Sequence, residues 1–273
     1  MCWSGGQLYI ESVPTPWHYS GVSFEVPADA YDRFMGRYAD LLAPIFADFA
    51  GVQPGQCALD VGCGPGALTA ELVRRLGAGG VSAVDPSRSF VDAVGARLPG
   101  VVVELGSAEL LPFGDGAFDS ALAQLVVHFM TDAVAGLEEM ARVTRPGGCV
   151  AACVWDLAGA RSPMAIVYRA MRDVDPAALD ESERPGAGGR QLAELFESAG
   201  LRDAERTELT VAVRYETFDD WWQPYTLGVG PAGAFVASLG DERRTALRAR
   251  CGELLGAAPF DITATAWAVR ALV

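Results

Sequence analysis

Positive charge is scarce in this chain. Against 35 Asp and Glu stand 21 Lys and Arg, a formal net charge of -14 over 273 residues, with a pI near 4.5. A phosphate backbone is held by clustered cations that release counterions, so nucleic acid is a poor partner for such a protein. The densest basic stretch, DERRTALRAR with Arg243, Arg244, Arg248 and Arg250, has the spacing of a solvated helix face. Long apolar runs are also missing: charges, Gly or Pro interrupt every one before the roughly 20 residues that a membrane helix needs. The start, MCWSGGQLYIESVPTPWHYS, has no basic n-region and no apolar h-region. The expectation is a cytoplasmic protein, neither exported nor membrane-bound. There are only two histidines, and none of the six cysteines forms a C-x-x-C pair, which leaves little for a zinc site. Cys2, Cys57, Cys63, Cys149, Cys153 and Cys251 are expected to be reduced and to pack as small apolar side chains, with no metal.

What the chain has in quantity is hydrophobic residues, 51%, with 21% charged, the profile of a globular domain with a sizeable core. Residues 1–28 lack periodicity and read as an irregular arm. Residues 29–273 read as a single domain. It starts with a helical pattern, ADAYDRFMGRYADLLAPIFADFAG, which Pro44 is expected to split in two. Next come apolar strands at 57–61, 80–85, 101–106, 118–124 and 149–155, alternating with helices at 67–77, 86–98 and 132–144. Continuous apolar strands that alternate with helices indicate a parallel sheet covered on both faces. Further helices are expected at 162–174 and 191–200, strands at 205–216 and 262–273. The Gly/Pro-rich part of 157–190 and the helices of 217–256 read as insertions beside the core. The fold class is α/β, doubly wound, with helical insertions forming a substrate lid.

The chemistry starts at ALDVGCGPGA, residues 58–67, where a strand runs through a glycine turn into a helix. Such a turn offers free backbone N–H groups and the positive end of the helix dipole to a ligand, and glycine lets that ligand approach closely. Gly62, Gly64 and Ala67 match the G-x-G-x-x-A spacing of a dinucleotide site, which alone is weak evidence. Asp60, just before the turn, decides against a pyrophosphate, which it would repel, and for a ligand carrying an ammonium or sulfonium. Asp85, at the end of the next strand, suits the two hydroxyls of a ribose, as in NAD and S-adenosylmethionine sites alike.

With these residues on the page, the chain resembles the class I S-adenosylmethionine-dependent methyltransferases, in their ubiquinone/menaquinone-biosynthesis-like branch. The resemblance covers about residues 29–155 and rests on LDVGCGPG, the acid of SAVDPS, SAELLPFGDGAFDSALAQ and RVTRPGG, in that order at the family's intervals. It implies a Rossmann-like sheet of seven strands, mostly parallel with the last strand antiparallel. It also implies that S-adenosylmethionine is the cofactor and S-adenosylhomocysteine the product. The methionine part would lie against the turn at Asp60, Gly62, Cys63 and Gly64, the ribose against Asp85 beside Pro86, and adenine along Ser107, Ala108 and Glu109. Ser107 departs from the Asp that many relatives have. Gln124, at the end of the fourth strand, would border the methionine and the methyl. Tyr31 and Arg37 resemble a helix that closes over the cofactor, with Arg37 on the methionine carboxylate.

Transfer from a sulfonium depends on positioning and desolvation and does not require an acid or base. Where a base helps, His128, past the fourth strand at the carboxyl end of the sheet, is the catalytic candidate; His18, in the arm, is the weaker one. The acceptor is expected to be a small molecule, apolar or aromatic given Trp221, Trp222, Tyr225 and Phe235 in the second insertion. The protein would work as a monomer or homodimer. Two other classes stay open: a non-catalytic or repurposed S-adenosylmethionine-binding protein, and an NAD-dependent oxidoreductase.

Overall fold

The computed structural model describes residues 28–175 and 181–273; the irregular arm expected at 1–28, His18 included, lies outside them but for Ala28. Seven strands form one sheet in the order β3-β2-β1-β4-β5-β7-β6. β1 (Ala58–Val61), β2 (Val81–Asp85), β3 (Val102–Leu105), β4 (Phe118–Gln124) and β5 (Thr144–Trp155) run parallel to one another. β7 (Phe260–Leu272) is antiparallel to both β5 and β6 (Glu205–Tyr215). The central strands β1 and β2 are buried along their whole length, as expected of strands covered on both faces. β6 instead alternates exposed and buried residues, the signature of an edge strand with one wet face.

The crossovers are α3 (Ala67–Leu76), α4 (Arg88–Arg97) and α5 (Ala133–Val143). Asp132 caps α5 by accepting from the backbone N–H groups of Val134 and Ala135. Sequence order reverses between β1 and β4, where Asp60 stands opposite Leu122. Open α/β sheets bind ligands in the crevice outside the strand ends at such a reversal.

The N-terminal helix departs from expectation. α1 (Ala28–Tyr31) continues into a π-helical turn, Asp32–Gly36, and then α2 (Arg37–Phe49), which runs unbroken through Pro44. A proline inside a helix costs about 3 kcal/mol, through a lost N–H and a clash with the preceding turn. The carbonyl it leaves unmatched belongs to Asp40, which is exposed to water. Meanwhile Tyr38, Leu42 and Phe46, spaced by four, are buried on one face, and each such side chain returns about 1.5–3 kcal/mol. Packing therefore outweighs the breaker, and the irregularity falls ten residues earlier.

β5 starts at Thr144, five residues before the expected strand, and its pairing with β4 shifts register between Phe118 and Ser120. Arg145-Pro146-Gly147-Gly148 lies inside this extended start. The insertions fold as α6 (Ala165–Val174), then α8 (Phe218–Trp222), a 3-10 turn (Gln223–Leu227), α9 (Gly230–Ser238) and α10 (Asp241–Leu255), with α7 (Gly189–Ser198) between them in sequence. On α10, Arg243, Arg244, Arg248 and Arg250 pair with Asp175, Asp241, Asp219 and Asp173, so this basic stretch is locally neutralised. Cys63, Cys149, Cys153 and Cys251 are free, as expected. Cys57 packs against the core as expected but is disulfide-bonded, which corrects the expectation that it is reduced.

Candidate functional site

The turn after β1 is held by hydrogen bonds to the neighbouring strand. The N–H groups of Gly62 and Cys63 both donate to the Val84 carbonyl, at 2.8 and 3.1 Å. At Gly64 the chain turns outward, and its N–H donates to Asp85 Oδ2 at 2.8 Å, while the Ser87 N–H donates to Oδ1 at 2.8 Å. Asp85 is thereby fixed by two backbone donors, and each oxygen keeps a lone pair for a ligand hydroxyl. Asp60, one strand over, is 1% exposed and accepts the Thr69 hydroxyl at 2.6 Å.

Burial raises the pKa of both carboxylates. Asp60 is pushed up to about 7, by desolvation first, with the charge of Asp85 adding and the Thr69 hydrogen bond opposing. Asp85 is pushed up to about 6, again by desolvation, opposed by the Ser87 and Gly64 N–H groups. Folding raises both values, so the native state holds more protons than the unfolded chain between pH 3.8 and about 7. Stability from these groups is full below pH 3.8 and falls as pH rises through about 7. Asp60→Asn is therefore expected to flatten the decline of denaturation midpoint across that window; an equally steep decline in the variant would contradict it. For a cationic ligand the direction reverses, because a positive charge favours the carboxylate form. Affinity for such a ligand should rise with pH, with protons released on binding, measurable by calorimetry in buffers of differing ionisation enthalpy.

The end of β4 carries two unusual features. Gln124 Nε2 donates to the Ala39 carbonyl at 3.2 Å, while its Oε1 is buried with no hydrogen-bond partner among the described residues. Leu125, next in sequence, has φ 64, a left-handed conformation that costs a residue with a side chain about 1–2 kcal/mol. Such strain persists where the surroundings enforce it, and it clusters at binding sites. Leu125 lines a cleft together with Tyr31, Phe34, His128, Trp155 and Glu181.

His128 sits in the 3-10 turn Val127–Phe129 and is 6% exposed. Burial, helped by the charge of Arg184, lowers its pKa to about 3. The imidazole is thus neutral and a weak base, fit to accept a hydrogen bond rather than to store a proton. Tyr31 connects the two halves of the site: it packs edge-on against Phe90 at 5.6 Å, lines the cleft, and has its phenol pKa raised by burial and then by nearby Asp85.

Arg37 forms a two-pronged contact with Asp220 at 3.2 and 3.3 Å and lies over the Tyr215 ring, so it ties α2 to α8 rather than facing the glycine turn. The Cys63 side chain is buried with Ala83 and Val94, away from the open side. Pro86 is exposed beside Asp85. Ser107, Ala108 and Glu109 form a turn closed by a bridge from Ser107 to Leu110, and Glu109 Oε1 accepts the N–H of Thr131 at 2.8 Å, anchoring that turn near α5. The aromatics of the second insertion are largely core: Trp221 is 1% exposed and packs on Tyr225 at 5.0 Å. The stretch from this insertion that lines the cleft is Val229 to Ala232.

The sequence reading missed Tyr168, Glu181 and Arg184. Tyr168 donates its hydroxyl to Glu181, and Glu181 pairs with Arg184 at 2.6 Å, both side chains 4% exposed. Glu and Arg in a polar, Gly/Pro-rich loop give no sign in sequence that they will be buried.

Residues 59–152 match the family described as a methyltransferase domain. The chain is 40% identical over 103 residues to the demethylmenaquinone methyltransferase of Beutenbergia cavernae, covering 37% of this chain and 41% of that protein. The chain spans about half or less of the length of this and other curated relatives that it matches. Among solved structures it resembles the geranyl diphosphate C-methyltransferase of Streptomyces coelicolor in complex with S-adenosyl-L-homocysteine, with TM-score 0.51 and 16% identity over 87% of this chain and 80% of that one. It equally resembles the [4+2]-cyclase SpnF, with TM-score 0.51 and 19% identity over 87% and 82%.

Proposed function

We propose that the chain carries a class I S-adenosylmethionine-dependent methyltransferase domain and uses it to transfer a methyl group to a small-molecule acceptor. The observation that carries the proposal is the pairing of two buried carboxylates, Asp60 and Asp85, across an open glycine turn. S-adenosylmethionine, when bound, supplies a methyl already activated as a sulfonium. The residues present suit that ligand. Asp85 has free lone pairs for ribose hydroxyls, Asp60 offers negative charge to a cation, and Gln124 Oε1 is a buried acceptor with no hydrogen-bond partner among the described residues. A pyrophosphate would meet two carboxylates instead, which argues against a nicotinamide dinucleotide.

The protein's part in the reaction is positional. Gln124 ends β4 and Leu125, next in sequence, lines the cleft, so an acceptor lodged there is presented toward the carboxyl end of the sheet, where the turn lies. The apolar walls exclude water. Neutral His128 orients the acceptor by accepting a hydrogen bond. No proton transfer by a side chain is needed for the displacement itself.

Both S-adenosylmethionine and S-adenosylhomocysteine are expected to bind in the micromolar range by calorimetry, typical of enzyme cofactors and substrates. A panel of small-molecule acceptors followed by mass spectrometry is expected to reveal a product heavier by one methylene. A protein binding neither ligand would sink the reading. One that binds both yet never loses the methyl would favour a repurposed site, a reading that draws on the likeness to a cyclase of this fold.

A further inference from the structure

The loop after β5 and one face of α6 border a cavity of about 310 Å³. β5 ends at Trp155, so the cavity lies toward the carboxyl edge of the sheet, the ligand side of an open α/β fold. It shares Leu157, Tyr168 and Glu181 with the cleft beside the end of β4. No residue of the glycine turn is among the described residues that line it.

The backbone holds one wall in place. Ala160 has φ 54, a left-handed conformation that persists where the surroundings enforce it and that clusters at binding sites. Asp156, 3% exposed, does the enforcing: its Oδ1 accepts the Gly159 N–H and its carbonyl the Arg161 N–H, both at 2.9 Å. The Ala160 N–H itself donates to the Leu157 carbonyl at 3.1 Å. Another wall comes from α6, which buries Val167, Ala170 and Met171 on one side. Spacings of three and four bring Ala165, Tyr168 and Arg172 together on a different face, and all three line the cavity.

Arg172 is exposed and makes no ion pair or hydrogen bond among the described residues. The acids next to it in sequence are taken, Asp173 by Arg250 and Asp175 by Arg243. Glu181, the carboxylate among the described lining residues, accepts the Tyr168 hydroxyl and pairs with Arg184. Burial raises its pKa against the pull of Arg184, which favours the uncharged form.

We infer that this cavity is a binding site for a small carboxylate with an elongated apolar body, its carboxylate on the Arg172 guanidinium and its body running along α6 toward Ala165. A guanidinium presents a planar fork that a carboxylate meets with two parallel hydrogen bonds. Seven residues of helix separate Arg172 from Ala165, a rise of about 10 Å, which a phenyl ring on a four-carbon chain spans. The net charge of -14 repels anions at long range, so selection for the carboxylate falls to this local cation. The site is independent of the methyl-transfer reading.

The test titrates two probes of one shape, 4-(4-fluorophenyl)butyrate and 4-(4-fluorophenyl)butanamide, into the full chain and follows them by fluorine NMR. The carboxylate is expected to bind about fivefold more tightly than the amide, the upper end for an ion pair open to solvent. Arg172→Gln, on an exposed helix position, is expected to leave amide affinity unchanged and to bring the carboxylate within about twofold of it. Ala165→Phe fills the cavity and is expected to weaken both probes more than about tenfold; Ala158→Phe replaces it if circular dichroism shows that it does not fold. Equal binding of the two probes to the parent chain, binding of neither, a preference that survives Arg172→Gln, or undiminished binding in a folded filled variant overturns the inference.

Discussion

Gly64→Arg is expected to weaken S-adenosylhomocysteine binding by more than about 100-fold, close to 3 kcal/mol, while the ligand-free protein keeps its fold. Gly64 has φ 53, and a Cβ built there meets no atom within 4 Å. The added side chain therefore projects into open space on the side of the turn that faces a ligand, where its length obstructs that ligand. Its backbone cost is the left-handed conformation, about 1–2 kcal/mol, which lowers the melting temperature by only a few degrees in a chain of this size. S-adenosylmethionine should suffer at least as much, since the guanidinium also repels a sulfonium. Calorimetry and a thermal melt on the same sample separate the two effects; affinity within a few-fold of the parent protein would mean that the turn is not the ligand seat.

Gly62→Ala should do the opposite, destabilising the protein by about 2–5 kcal/mol. Two residues earlier in the same turn, Gly62 has φ 69, and a Cβ there would lie 2.6 Å from both methyls of Val126. The left-handed backbone again costs about 1–2 kcal/mol, and overpacking adds about 1–3 kcal/mol. Chemical denaturation is expected to show the loss, and Val126→Ala in the same chain should recover the overpacking part but not the backbone part. No recovery in the double variant would mean that Val126 is not the obstacle. Two glycines spaced by one thus divide the work, one packing the turn into the domain and the other leaving it open.

That division was not readable from GCGPG, since it depends on which side chain from β4 and its following turn arrives against each glycine. The presence of the turn was readable, because strand, glycines and helix are contiguous and only a few backbone shapes join them. The same holds for Asp60 and Asp85: each ends or nearly ends a short apolar strand, so a parallel sheet necessarily brings them to one edge. A charged side chain takes whichever partner the fold delivers, and no local pattern names that partner. Arg37 met Asp220, 183 residues away, and Glu109 met the backbone ahead of α5. Pro44 misled because local propensity amounts to about 3 kcal/mol, less than the burial of three large side chains on the opposite face.

The sequence by itself determined the strand and helix alternation and the glycine turn with Asp60 before it, and hence the class of fold, since each of these is set by residues within a few positions of one another. The character of the cleft beside the end of β4 was decided only in three dimensions. His128, Trp155, Tyr168, Glu181 and Arg184 come from separate segments, and burial alone gave them their chemistry. It held the imidazole neutral, left an indole N–H unmatched, and cancelled one charge with another.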